Sequence, residues 1–107
     1  MEEELVQEVY SYIRKAERKL KEERVEAAYD LYMDALHTIA GYLVYRESGM
    51  LLSGRELMGI VRVRHGEVYS IIKRYEGVTD VDRDTLRVLD EDVKGLMERV
   101  LPPLLRE

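Results

Sequence analysis

The chain has 107 residues, a formal net charge of -5, 46% apolar and 36% charged residues, and no cysteine. That length is one domain's worth and buries a core unaided, while the missing cysteine excludes disulfides, thiolate zinc sites and a cysteine nucleophile. The acidic balance argues against wholesale coating of nucleic acid, and no apolar run approaches the ~20 residues of a membrane span.

Glu2, Glu3 and Glu4 stand where a signal peptide would be basic, so the expectation is a cytoplasmic protein without a membrane partner. Asparagine is absent, Gln7 is the sole glutamine, and Glu, Lys and Arg abound, which points to a hot-adapted microbial source. Without Phe or Trp, the core must be built from Leu, Val, Ile and the eight tyrosines. Tyrosines are expected at its margins, ring dry and hydroxyl wet.

Taken in chain order, Val6, Val9, Ile13, Ala16 and Leu20 fall at steps of three and four and predict a first helix over about 3–22. Val25, Ala28, Leu36, Ile39 and Leu43 predict a second over about 24–47, with a tight turn within 21–25 and a stop at Ser48 and Gly49. Its apolar residues, including Leu31, Tyr32, Ala35, Tyr42 and Val44, spread beyond one stripe. A third helix is predicted from Ser53, read with Glu56 as a capping box, through Leu57, Ile60, Val61, Val68, Ile71 and Ile72 to Tyr75 and Glu76, with Gly77 as its stop. Thr79, Asp80 and Asp82 offer N-caps for a fourth, which carries Leu86, Leu89, Val93, Leu96 and Val100 and closes at Pro102 and Pro103. Four one-sided helices predict an all-α, antiparallel up-and-down four-helix bundle, a single domain over 1–107.

No catalytic, metal or phosphate-loop signature stands out, so neither a catalytic residue, a metal ligand set nor a cofactor is assigned. Arg64 interrupts the stripe of the third helix, where a charge must pair or reach water. Pairing with Asp30 or Asp34 is the favoured reading, an anion contact the other. Arg62, Arg64, His65 and Lys73 make this helix locally basic and are the candidate nucleic-acid or anion-binding residues, with Tyr69 and Tyr75 available to stack on bases. A mixed-charge solvated face explains the same residues more simply. Asp34 and His37, three apart with Asp30 one turn before, resemble half of a di-iron ligand pattern but lack the second copy such sites need. A hydrogen-bonded histidine at the core edge is the expected role of His37.

The stretch RVEAAYDLYMDALHTIAGYLVYRESGMLLSGRELMGIV, residues 24–61, resembles the central helical hairpin of the HEPN family, a nucleotide-binding domain of higher eukaryotes and prokaryotes. The likeness lies in the tight turn, the spaced alanines Ala27, Ala28 and Ala35, and the short loop before the third helix, and it covers about a third of the chain. It implies a homodimeric bundle, either a toxin ribonuclease or the partner of a small nucleotidyltransferase. Ribonuclease members carry an arginine four to six residues before a histidine. Here Arg62 and Arg64 are too near His65, Arg55 is too far, and His37 has no upstream arginine nearby, so no catalytic residue is carried over. The segment 42–61 is similar to translin-type RNA-binding bundles, which implies nucleic-acid contact. The expected function is a non-catalytic binding protein, homodimeric and an accessory subunit of a nucleotide- or nucleic-acid-handling enzyme. The alternative is an RNA-binding protein or RNA-directed nuclease using the basic third helix.

Overall fold

In the computed structural model, which describes residues 1–103, the chain forms helices α1 (Glu2–Lys21), α2 (Val25–Ser48), α3 (Gly54–Arg64), α4 (Gly66–Glu76) and α5 (Arg83–Val100). The described residues contain no strand. Over the described residues the architecture is all-α with five helices, because the predicted third helix breaks in two. None is long and apolar enough to cross a membrane.

The break sits at His65, whose backbone (φ -134, ψ 65) closes α3 and opens α4. Unbroken, that helix would carry Leu57, Val61, Arg64, Val68 and Ile71 on one stripe and draw the Arg64 guanidinium toward the core, where desolvation is costly. Gly66, a weak helix former, stands at the break. With the chain re-aimed there, Leu57 and Val61 of α3 and Val68, Ile71, Ile72 and Tyr75 of α4 are buried, and Arg64 is turned to solvent.

Helix α2 is the axis of the fold and packs against each of the other four helices. Ala28, Tyr32, Ala35, Leu36, Ile39 and Ala40 are fully buried along it, facing Val9 and Ala16 of α1 and Leu89, Val93 and Leu96 of α5 within one core. Most of its apolar surface is thus covered within the chain, with Val25, Tyr29, Leu31 and Tyr45 partly exposed. Three tyrosines lie deeper than expected: Tyr32, Tyr42 and Tyr75 are buried, and each hydroxyl meets a charged side chain at the core edge, Asp90, Arg46 and Asp92 respectively. A buried phenol is tolerated when its hydroxyl finds such a partner.

The α1–α2 turn falls within the predicted segment. Glu23 takes a left-handed backbone there (φ 61), and the Glu22 and Arg24 amides donate back to the Arg18 and Lys19 carbonyls. Gly49 (φ 76) closes α2 in the left-handed conformation that glycine accepts without strain. The capping box does not form. The Ser53 side chain makes no cap bond, and Gly54 after it has φ 61, not the right-handed helical value of an ordinary first turn. At α5 the cap is Asp82, whose carboxylate accepts from the Thr85 amide at 2.8 Å; this interaction holds its carboxyl below the usual range.

Candidate functional site

Of the four basic residues singled out in the sequence, Arg64 and His65 come together at the α3–α4 break. Both reach one oxygen of Glu47, near the end of α2: Arg64 Nε and His65 Nε2 each lie 3.1 Å from Glu47 Oε1. The partner of Arg64 is therefore Glu47, not Asp30 or Asp34, because the re-aimed chain brings it to the C-terminal end of α2. Arg64, and after it His65, hold the Glu47 carboxyl below the usual range. Lys73 pairs with Glu76 at 2.5 Å, one turn on along α4, which raises its ammonium pKa. Arg62 is exposed on α3 and forms no ion pair among the described residues. Arg62, Arg64 and Lys73 do not line the concavity that His65 does.

Two other arginines join His65 instead. Arg46 and Arg99 share with it a shallow concavity of about 240 Å³ floored by Leu43, Val68 and Val100. Arg46 lies over the Tyr42 ring at 5.2 Å and donates to its hydroxyl, while Arg99 pairs with Glu67. Both occupy the last turns of their helices, where a cation offsets the negative end of the helix dipole. That placement accounts for them structurally. His37 is likewise accounted for, as its Nδ1 donates to the Met33 carbonyl at 2.9 Å. Among the described residues no group of three or more acidic or histidine side chains is placed to hold a metal ion.

The most distinctive surface is the limb from Arg46 to Glu67. In this whole stretch only Leu57 and Val61 are buried. Met50, Leu51 and Val63 are 57%, 56% and 81% exposed, and Leu52, Met58 and Ile60 are half-buried. On the helical wheel of α3, at about 100° per residue, Arg55, Glu56, Gly59, Arg62 and Val63 share the side opposite Leu57 and Val61, and all five are exposed.

No protein-family model matches this chain, and neither a curated protein nor a solved structure matches it. The surface must be read from its own chemistry. Sequence reasoning passed over it because Met50, Leu51 and Leu52 fall in a loop and Val63 sits on a helix assumed to pack along its whole length. The available signal was the run of three consecutive apolar residues in a connecting segment, where polar residues are the rule.

Proposed function

We propose that the chain is a non-catalytic helical-bundle binding protein that works as a homodimer and as the accessory subunit of a nucleotide- or nucleic-acid-handling enzyme of the nucleotidyltransferase kind. In this reading α3 and α4 count as one bent rod, so that the helices make an antiparallel, up-and-down four-helix bundle of the HEPN-like kind. The observation that carries it is the limb 46–67, which exposes Met50, Leu51 and Val63, leaves Leu52, Met58 and Ile60 partly covered, and buries only Leu57 and Val61. Exposed apolar groups concentrated in one stretch of chain support an interaction surface.

Light scattering at tens of micromolar protein tests the reading. A mass near twice 12.6 kDa is expected, and a Leu51→Asp, Val63→Asp double variant should scatter as a helical monomer. A monomeric parent protein removes the homodimer. The alternative, RNA binding or cleavage through Arg62, Arg64, His65 and Lys73, has less behind it, because three of the four already contact carboxylates. Strongly salt-dependent retention of RNA by the protein would favour it instead.

A further inference from the structure

The outer face of α3 has a charge pattern that selects one way of meeting a second copy of itself. Arg55, Glu56 and Arg62 form no ion pair among the described residues. Gly59 lies between them with nothing within 4 Å of where a side chain would begin, so another backbone can approach closely. Seen down the helix, Arg55 and Arg62 occupy one flank of this face and Glu56 the other, with Gly59 in the middle and Val63 between it and the acidic flank.

A twofold interface places the same patch on both subunits. Two α3 helices related by a twofold axis across their direction run antiparallel, and the arginine flank of each then faces the arginine flank of the other. With the axis along the helix they run parallel, and the arginine flank faces the acidic flank, bringing Arg55 of each copy beside Glu56 of the other at nearly the same height.

We propose that the face formed by Arg55, Glu56, Gly59, Arg62 and Val63 binds the same face of a second copy, with the two α3 helices parallel. This inference rests on the homodimer reading and adds the surface and the direction. An 11-residue helix is too small alone for the ~800 Å² per partner of a stable interface, and the exposed Met50 and Leu51, just before α3, are apolar surface available to enlarge it.

The absence of cysteine makes a clean test. In the parallel pair both copies of residue 63 stand at one height close to the axis, within the ~7 Å between Cα atoms that a disulfide tolerates. Antiparallel pairing about Gly59 separates them by about 12 Å along the axis, eight residues at the helical rise. Val63→Cys should therefore link into covalent dimers on mild oxidation, seen on a non-reducing gel, while Val88→Cys, a control on the exposed side of α5, should not. Glu56→Lys should weaken dimerisation at least tenfold, and adding Arg55→Glu, which exchanges the two charges, should restore it. A protein that is dimeric by light scattering but whose Val63→Cys variant stays unlinked, or whose Glu56→Lys variant associates as well as the parent, overturns this inference and leaves the homodimer standing. A monomeric parent protein removes both.

Discussion

Tyr32 of α2 donates its hydroxyl proton to Asp90 of α5 over 2.7 Å, joining residues 58 positions apart in the chain. The ring is fully buried. Asp90 also meets Lys94 at 3.2 Å, and Lys94 reaches Glu17 of α1 at 2.6 Å, so one polar chain ties three helices. The backbones of α1 and α5 do not approach each other closely, and this chain bridges the gap between them. Tyr32→Phe removes a hydrogen bond to a charged acceptor that water can partly replace, and should lower unfolding free energy by about 1–2 kcal/mol with the helix content unchanged. Urea titration followed by circular dichroism measures it.

Alkaline pH should destabilise the fold through two phenols. Burial, and then Asp92, pushes Tyr75 up to about 12, and burial with Asp90 drives Tyr32 upward as well. Unfolded tyrosine ionises near 10. Above that pH the folded chain keeps protons that the unfolded chain has lost, so this contribution is whole below pH ~10 and falls as pH rises toward 12. The urea midpoint should drop steadily between pH ~10 and ~12. Replacing Tyr75 with Phe should make that drop shallower.

The two serine- and aspartate-led helix starts should respond differently to alanine. Asp82→Ala removes the carboxylate that accepts from Thr85 and should lower Tm by roughly 3–6 °C. Because its carboxyl is held low in the fold, the difference from the parent should be present above about pH 4 and vanish as pH falls below it. Ser53→Ala, where no cap bond exists, should leave Tm almost unmoved. Scanning calorimetry on the pair decides the matter.

Glu23 holds a left-handed backbone without being glycine. Such a conformation is strained for a residue with a side chain, and the Glu23–Arg83 contact at 3.9 Å lies in solvent and offsets little. Glu23→Gly should therefore raise stability by about 0.5–1 kcal/mol, a gain net of glycine's greater freedom in the unfolded chain. A loss of stability on urea titration would show that the turn is less strained than its geometry indicates.

Arg64→Met should be nearly neutral for stability, since the Arg64–Glu47 pair is solvent-exposed. Its trace should appear at Glu47 instead. Without the guanidinium, the carboxyl should titrate closer to its ordinary value, with His65 left to hold it, and carbon-detected NMR reads that shift directly.

The sequence by itself determined the helical class, the positions of α1, α2 and α5, and the turn at 22–24, because periodic apolar residues and helix-ending signals act over one or two turns. It also showed that Arg64 was out of place on an apolar stripe. How the chain resolves that conflict lay beyond local pattern. Breaking the helix at His65 depends on the balance between desolvating a guanidinium and giving up helical hydrogen bonds, and on whether Glu47 is near enough to meet it. The same limit applied at Ser53, whose spacing to Glu56 fits a capping box but which makes no cap bond and is followed by a left-handed Gly54. Only the tertiary structure decided that α2 buries most of its apolar residues within the chain while Met50, Leu51 and Val63 stay exposed, since burial is a property of what stands opposite a side chain and not of the side chain itself.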